Sequence, residues 1–362
     1  MAGSQDLTFA YPVVPILRAD GETWQYIREP LLRRMPDGSL LCLHYSGGPR
    51  EPHNDNAVLV TRSVDAGASW SAPEVLFRHG VRGCWSTELL VHGDTVCAFV
   101  STLHARSHYN ELHTYRAFSN DSGKTWSEPS SLPGPFHCVS PRQALLLTSG
   151  EIVVPVYWQE QHAGFDWTTD GARDWRFHCG VLRSEDGGRH FTQHGNIRAA
   201  AGLSLWEPNV VEVAPGRLVM MIRATGDGRL YRADSTDAGR HWSDAMRTQI
   251  GADSSKVTLL RVGGCVLMLF NPGGDTRFGG RRDLQLWVSS DGCATWSTKL
   301  SIAQAPEGRR ICYPHGFIDA VRKEVVLALD DTRTHWFMRI PLADLGLPQE
   351  DIFQGDERSL HR

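Results

Sequence analysis

The sequence lacks the features that mark membrane, secreted and nucleic-acid-binding proteins. It has no run of ~18 apolar residues that would span a bilayer. It does not open with a basic stretch followed by an apolar core, as a secretory signal does. Lys and Arg (37 residues) are interspersed with Asp and Glu (41), so the net charge is −4 and there is no basic stripe. We therefore expect a cytoplasmic protein with neither a membrane nor a nucleic-acid partner.

Metal-binding and disulfide patterns are also missing. The eight cysteines are scattered without a CxxC pair. Their even number permits bridges, but the prediction is small buried thiols in a reducing compartment. His53, His104 and His108 invite a metal-site interpretation, yet they lack a tight spacing such as HxH or HExxH. We expect neither a metal nor another cofactor.

What the sequence does contain is a short internal repeat. The pattern Ser-x-Asp-x-Gly-x-x-aromatic recurs about every 50 to 65 residues, the length of a four-stranded propeller blade. The copies are Ser63–Trp70, Ser119–Trp126, Ser184–Phe191, Ser235–Trp242 and Ser289–Trp296. The Asp can accept backbone N–H bonds within a tight turn, and the Gly supplies a positive φ. In the fifth copy Cys293 takes the Gly position, so that turn is expected to be degenerate.

Strand-like segments surround each repeat. NAVLVTRS, YRAFS, CGVLRS, RLYRADS and LQLWVS each run into a copy, which indicates a third strand, a hairpin and a fourth strand. The prediction for residues 1–362 is a single all-β domain, a six-bladed β-propeller of four-stranded antiparallel blades. The N-terminal strand is expected to complete the last blade. The only helical signal is PLADLG near the C-terminus.

The repeats resemble Asp boxes, the bacterial neuraminidase repeats of the sialidase superfamily, and the resemblance extends over nearly the whole chain. It implies a sialidase-like propeller whose Asp boxes face away from the active site. Three arginines then fall on the family's carboxylate-binding positions: Arg28 in YIREPLL, Arg223 in GRLVMMIR and Arg281 in FGGRRDLQ. Arg282 is also available for the third position, but the register against the following Asp-Leu favours Arg281. Glu29 replaces the family's usual aliphatic residue. It either alters the first subsite or points to the other face.

The same resemblance implies the reacting groups. Tyr313 in RRICYPHG matches the family's tyrosine, although Pro314 stands where the family often has Ser, and Glu207 in WEPNVV matches its glutamate. A sugar with a carboxylate on its anomeric carbon would repel a carboxylate nucleophile. A tyrosine deprotonated by a nearby glutamate avoids that repulsion.

The general acid is expected on the loop SGGPREPHNDNAVLV, where Asp55 is the first choice and Glu51 and His53 are also in range. A histidine acid is workable because its pKa lies near neutrality. Further candidates for the substrate pocket are His104, Arg142 and Trp206, with His108, Tyr109, Tyr157 and Trp158 as softer ones.

Three functions remain open at this point. The first is an exo-glycosidase that removes a terminal sialic acid or a related 2-keto acidic sugar from a glycan. The second is a lyase or hydrolase acting on another acidic sugar; in a lyase, a Tyr and a His would serve as base and acid without a covalent intermediate. The third is a non-catalytic propeller that binds glycans or proteins.

Overall fold

The computed structural model describes residues 6–107, 111–133, 136–159, 177–198, 203–275 and 280–348. Two N-terminal strands, β1 (Thr8–Phe9) and β2 (Val13–Arg18), precede six antiparallel sheets, the blades. Blade 1 contains β3 (Ile27–Arg34), β4 (Leu40–Ser46), β5 (Ala57–Ser63) and β6 (Glu74–Phe77). Blade 2 contains β7 (Gly83–His92), β8 (Thr95–Leu103), β9 (Leu112–Ser119) and β10 (Ser130–Ser131).

Blade 3 has a divided inner strand. It contains β11 (Ser140–Pro141), β12 (Leu145–Leu146), β13 (Ile152–Gln159), β14 (Phe177–Ser184) and β15 (Thr192–Ile197). Blade 4 contains β16 (Ser204–Ala214), β17 (Arg217–Thr225), β18 (Arg229–Ser235) and β19 (Met246–Gly251). Blade 5 contains β20 (Thr258–Val262), β21 (Cys265–Phe270), β22 (Asp283–Ser289) and β23 (Thr298–Gln304). Blade 6 contains β24 (Cys312–Asp319), β25 (Glu324–Asp330) and β26 (Thr334–Pro341).

The N-terminal strands complete the last two blades. β2 pairs with β26, so blade 6 has the order β2-β26-β25-β24, and β1 pairs with β23 at the outer edge of blade 5. The predicted closure of the ring by the N-terminal strand is therefore confirmed. The predicted helical segment forms a single 3₁₀ turn, Leu342–Leu345.

Each Asp box joins the third and fourth strands of its blade, as predicted. The box serine is the last residue of the third strand in all five copies. In the first copy Gly67 N donates to Ser63 Oγ (2.7 Å), while Ser69 N donates to Asp65 Oδ1 (2.9 Å). The fifth copy keeps the same hydrogen bonds, with Cys293 at φ 66° in the glycine position. The replacement of glycine therefore leaves this turn intact, contrary to the expectation of a degenerate turn.

The box aromatics pack between blades. Trp70 of blade 1 lies 5.7 Å from Phe337 of blade 6, and Trp126 of blade 2 lies 6.5 Å from Phe77 of blade 1, both measured between ring centroids. Six clusters of buried apolar side chains fill the interfaces between neighbouring blades. The core is thus a ring of sheet-on-sheet layers, and each box aromatic helps to join its blade to the preceding one.

The Asp boxes and the first residues of the inner strands lie at opposite faces of the propeller. The inner strands all begin at one face, and the Asp boxes turn at the opposite face because they follow the third strands.

All eight cysteines lie in the described ranges and are free thiols, seven of them buried. The helices of the described residues are single 3₁₀ turns, and none is long and apolar enough to cross a membrane.

Replacing a box serine should destabilise the fold. Ser119 is buried, and its Oγ accepts from Gly123 N (2.8 Å) and donates to Asp121 Oδ1 (2.7 Å). Ser119→Ala leaves the Gly123 N–H without this acceptor, so we expect the free energy of unfolding to fall by about 1–3 kcal/mol. Urea denaturation measures the change. The control is Ser130→Ala, at an exposed serine whose hydroxyl makes only a 3.4 Å hydrogen bond; equal stability of the two variants would contradict a structural role for the box.

Candidate active site

Three inner strands share an irregularity near their first residues. β3, β16 and β24 each lose register at a residue that precedes proline: Glu29, Glu207 and Tyr313. The φ angles there are 49°, 47° and 50°, in the left-handed region that non-glycine residues seldom occupy. Such bulges re-aim side chains and are over-represented beside active sites. The three side chains therefore occupy equivalent places in blades 1, 4 and 6.

The other three blades contribute residues at the same level. Thr87 lies at a register shift in β7, Arg142 lies between the two parts of the inner strand of blade 3, and Lys256 precedes β20. Thr87, Arg142, Glu207 and Lys256 line one small internal cavity. We call the six residues the channel ring: Glu29, Thr87, Arg142, Glu207, Lys256 and Tyr313.

The predicted tyrosine and glutamate are in contact. Tyr313 Oη donates to Glu207 Oε1 at 3.1 Å. Arg223 Nη1 donates both to Glu207 Oε2 (2.7 Å) and to Tyr313 Oη (3.1 Å). All three side chains are buried. The hydrogen bonds hold the phenol oxygen between a carboxylate and a guanidinium.

The three predicted arginines converge on the same tyrosine. The guanidinium carbons of Arg28 and Arg281 lie 5.3 and 5.1 Å from the centroid of the Tyr313 ring, and Arg223 contacts its hydroxyl. Each guanidinium is also fixed through Nε. Arg28 donates to Asp330 Oδ2 (2.9 Å), Arg223 to Ser254 Oγ (3.1 Å) and Arg281 to the Ser254 carbonyl (2.9 Å). This arrangement presents three positioned cations around one phenol.

A buried carboxylate sets the backbone of Arg281. Asp253 Oδ2 accepts from Arg281 N (2.7 Å), and its Oδ1 accepts from Gly274 N (3.2 Å) and Asp275 N (3.1 Å). Arg281 itself has a φ of 60°. Asp253 therefore holds the backbone at Gly274, Asp275 and Arg281 together and orients the third arginine.

Glu29 points into the site rather than to the other face. Arg142 Nη1 donates to Glu29 Oε2 at 3.2 Å, and Arg142 Nη2 lies 3.4 Å from Glu207 Oε1 and 3.0 Å from Tyr157 Oη. One guanidinium thus bridges two carboxylates of the channel ring. Of the two interpretations left open by the sequence, the one in which Glu29 alters the first subsite agrees with this position.

Lys256 adds another cation to the ring. Its Nζ lies 5.6 Å from the Tyr313 ring centroid, and the side chain is buried. Burial lowers the pKa of Lys256 to about 8, although the carboxylates of Glu29 and Glu207 act in the opposite direction.

Charge and burial shift the pKa values of the two ring carboxylates in opposite directions. Burial raises the pKa of Glu207, but the charges of Arg223 and Arg142 outweigh it and lower the value to about 2. Burial raises the pKa of Glu29, which Arg142 only partly offsets. The pKa of Tyr313 is raised by burial and by Glu207. At neutral pH, Glu207 is ionised and Tyr313 is protonated.

The loop expected to carry the general acid places its candidates differently. Glu51 Oε2 lies 3.6 Å from Arg28 Nη1, and the Glu51 side chain is 22% exposed. The Asp55 side chain is 71% exposed, and its Oδ2 lies 3.4 Å from His53 Nδ1. The structure therefore brings Glu51 to an arginine of the site and leaves Asp55 at the loop surface with His53.

The pocket candidates are divided between the site and the core. Arg142 and Tyr157 belong to the channel network described above. Trp206 packs on Phe177, with centroids 4.1 Å apart, inside an apolar cluster, while the guanidinium of Arg223 lies 5.6 Å from the Trp206 ring. His104 Nε2 lies 3.5 Å from Asn54 Nδ2. Trp158 lies 6.1 Å from His178, and His108 and Tyr109 fall outside the described residues.

Sequence reasoning missed Lys256 and Thr87 and left the orientation of Glu29 open. A usable signal existed in the repeated residue-Pro pair at the start of three inner strands, REP, WEP and CYP. Lys256 and Thr87 have no such pair. Within the described ranges, no group of three or more His, Cys, Asp or Glu side chains is arranged to hold a metal ion.

The Asp boxes on one face and the buried Tyr–Glu–Arg centre on the other define the class of sialidase-like propellers. Residues 38–324 match the BNR repeat-like domain family, and the chain belongs to that family within the sialidase superfamily.

Individual relatives agree with this assignment. A sialidase of Bacteroides fragilis (strain YCH46) is 26% identical over 196 residues, which is 50% of this chain and 33% of that protein. The chain thus matches only a third of the length of that curated relative. A Hadza microbial sialidase has a TM-score of 0.72 at 18% identity, over 92% of this chain and 69% of its own. The Trypanosoma rangeli sialidase in complex with the inhibitor DANA has a TM-score of 0.66 at 18% identity, over 92% and 59%. At these identities, the likeness to the solved structures concerns the fold.

The lowered pKa of Glu207 predicts a pH-dependent contribution to stability. The pKa in the fold lies below its ordinary value of 4.5, so the ionised carboxylate stabilises the protein above about pH 4.5. That contribution is lost as the pH falls towards 2. Glu207→Gln should therefore reduce the free energy of unfolding at pH 7 by about 3 kcal/mol, and this difference from the parent protein should shrink between pH 5 and pH 3.

Urea denaturation at several pH values tests this expectation. Glu74→Gln serves as the control because Glu74 is an exposed glutamate of β6. A wild-type–Glu207→Gln difference that stays constant with pH would show that Glu207 carries no buried charge in the fold.

Proposed function

We propose that this protein is an exo-glycosidase that hydrolyses a terminal sialic acid, or a related 2-keto acidic sugar, from a glycan. The observation that carries the proposal is the contact between Tyr313 Oη and Glu207 Oε1 at 3.1 Å, with the guanidiniums of Arg28, Arg223 and Arg281 around the same tyrosine. The relationship to a protein named as a sialidase adds support.

The arginines suit a sugar that carries an anomeric carboxylate. Guanidiniums bind carboxylates with charge-assisted and often bidentate hydrogen bonds, each contributing about 1.5–3 kcal/mol. An ordinary aldose lacks this carboxylate and would leave the arginines without their ligand. The same carboxylate explains the choice of nucleophile, since a neutral phenol approaches it without charge repulsion.

The proposed reaction retains the anomeric configuration in two displacements. Tyr313 Oη attacks the anomeric carbon while its proton passes to Glu207, and the glycosidic oxygen leaves with a proton from the general acid. A water then attacks the anomeric carbon, its proton returns to the general acid, and the bond to Tyr313 Oη breaks as Glu207 returns the phenol proton. The resting state, with Glu207 ionised and Tyr313 protonated, is the one that the first step requires.

The proton donor in this scheme comes from the loop that contains Glu51, His53 and Asp55. We favour Glu51 over Asp55, because Glu51 lies 3.6 Å from Arg28 whereas the Asp55 side chain is 71% exposed and faces His53. The glycosidic oxygen is attached to the same carbon as the substrate carboxylate, which favours a donor near the arginines. In this scheme the Glu51 carboxyl must carry its proton when the glycosidic bond breaks.

Loss of the nucleophile should abolish turnover. With a 4-methylumbelliferyl sialoside, Tyr313→Phe should reduce kcat at least about 10³-fold, and Glu207→Gln about 10²–10⁴-fold. Fluorescence release measures both, in parallel with the deaminated sialoside and a uronide. Tyr231→Phe is the matched control: Tyr231 Oη contacts Asp227, on the outer part of blade 4, and its loss should leave kcat unchanged.

Other results would point to the competing functions. Release from the uronide alone would favour an enzyme for another acidic sugar, and an unsaturated product absorbing in the near ultraviolet would identify a lyase. Glycan binding without any turnover, unaffected by Tyr313→Phe, would identify a binding propeller and contradict the hydrolase proposal.

The identity of the general acid can be tested through the leaving group. A missing acid slows the release of a poor leaving group such as an alcohol much more than that of an activated phenol. Glu51→Gln should therefore lower kcat/KM for sialyllactose about 10²-fold or more, with a far smaller loss for the 4-methylumbelliferyl sialoside. Asp55→Asn should affect both substrates little. The reverse pattern in the two variants would assign the role to Asp55.

A further inference from the structure

A second pocket opens on the same face as Tyr313, at the outer part of blades 5 and 6. Its volume is about 420 Å³, within the range of roughly 300–1,000 Å³ that is usual for small-molecule sites. It forms where the N-terminal segment passes from the edge of blade 5 to the edge of blade 6, and we call it the seam pocket. Its lining residues are Asp6, Leu7, Phe9, Arg18, Ala19, Arg309, Asp331, Arg333, Thr334 and Trp336.

The seam pocket and the candidate active site are connected by two adjacent residues of the chain. Asp330 holds Arg28 through its Oδ2 atom, and the next residue, Asp331, lines the pocket. Asp330 is the last residue of β25 and Asp331 the first of the connection to β26, at the face where the inner strands begin. A ligand that extends outward from Tyr313 across blade 6 would reach this pocket.

The buried carboxylate of Asp331 organises the pocket wall. Its Oδ2 accepts from Arg309 Nη2 (3.1 Å) and Trp336 Nε1 (3.0 Å), and its Oδ1 accepts from the backbone N–H groups of Arg333 (2.8 Å) and Thr334 (2.6 Å). The Asp331 side chain is 1% exposed. These bonds fix one guanidinium and one indole in place, as a preformed binding wall requires.

The pocket has more cations than acids. Arg18, Arg309 and Arg333 contribute three guanidiniums against the carboxylates of Asp6 and Asp331. Because Arg309 is paired with Asp331 at 3.1 Å, Arg18 and Arg333 remain against Asp6. The Arg18 and Arg333 residues are exposed. Guanidiniums are suited to carboxylate and sulfate groups because they donate two parallel hydrogen bonds.

An aromatic pair forms the apolar part of the wall. The rings of Trp336 and Phe9 lie 5.3 Å apart between centroids, and the guanidinium of Arg18 lies 5.2 Å from the Trp336 ring. Trp336 and Phe9 are both partly exposed. A pocket that combines guanidiniums with an aromatic surface matches a ligand with an anionic group on an apolar-faced ring, and an acidic sugar has both features.

We propose that the seam pocket is a second saccharide site, which binds an anionic sugar unit. Its place on the face of Tyr313 implies that this unit belongs to the same glycan as the sugar at the centre, and this part of the inference rests on the proposed function. The protein would then act preferentially on glycans that carry a further acidic residue beyond the terminal one.

Direct binding to the full chain tests the pocket without turnover. The titrant is α2,8-linked trisialic acid, the protein is Tyr313→Phe, and isothermal titration calorimetry gives the Kd. Adding Arg333→Gln or Arg18→Gln should weaken binding about 10-fold, the loss expected for one charge-assisted contact. Arg189→Gln, at an exposed arginine in the third Asp box on the opposite face, is the matched control and should have no effect.

Two results would overturn the second site. Unchanged affinity for trisialic acid in both pocket variants would show that these arginines bind no part of it. Equal affinity for neutral maltotriose would show that the pocket does not select an anionic sugar.

Steady-state kinetics separates this inference from the proposed function. If the protein is a sialidase, Arg333→Gln should raise KM for trisialic acid about 10-fold and leave KM for the 4-methylumbelliferyl sialoside unchanged. An equal rise for both substrates would contradict a separate pocket. If neither substrate is turned over, the proposed function fails while the calorimetric comparison still decides the seam pocket.

Discussion

Burial of opposite charges at the centre of the ring is the constraint on which this site depends. A lone carboxylate as buried as Glu207 would take up a proton, but two guanidiniums, Arg223 at 2.7 Å and Arg142 at 3.4 Å, keep it ionised. The guanidiniums in turn need the carboxylate, because a buried unpaired cation is costly. The acid–base character of the centre and its stability therefore come from the same contacts.

This arrangement requires irregular backbone inside regular sheets. A strand sends successive side chains to opposite faces, so a regular inner strand would direct its side chains alternately to the two flanking blades and none to the axis of the ring. The bulges at Glu29, Glu207 and Tyr313 add one residue each and turn these side chains towards the axis. The following prolines cost little at these positions, because a bulge has no ladder hydrogen bond for proline to break.

The sequence was sufficient to predict the fold and several residues of the candidate site. The five Asp boxes indicated the blade spacing directly. Each box is a local turn whose hydrogen bonds lie within a few residues, so its pattern can be recognised in the sequence. Arg28, Arg223, Arg281, Glu207 and Tyr313 were found because they match a family order. Lys256 and the Glu29–Arg142 contact were not found, because they join residues of different blades, and no local pattern records which residues of separate inner strands share a level of the ring. The exposure of Asp55 depends on the path of its loop, which its residue types do not determine.

Arg142 and Lys256 add two further cations to the three arginines of the centre, and the surroundings of the two ring carboxylates differ. Arg142 touches both Glu29 and Glu207, yet it lies slightly nearer to Glu29, and the two carboxylates still differ in the direction of their pKa shifts. The difference must come from other neighbours, and Arg223 supplies it, because it contacts Glu207 directly. Glu29 is therefore the ring carboxylate that takes up a proton more readily. A centre with one firmly ionised and one more easily protonated carboxylate can accept a proton at the first and donate a hydrogen bond from the second. Under the proposed function, this separation suits a polar substituent of the sugar beside Glu29, where the family's usual aliphatic residue would present only an apolar surface.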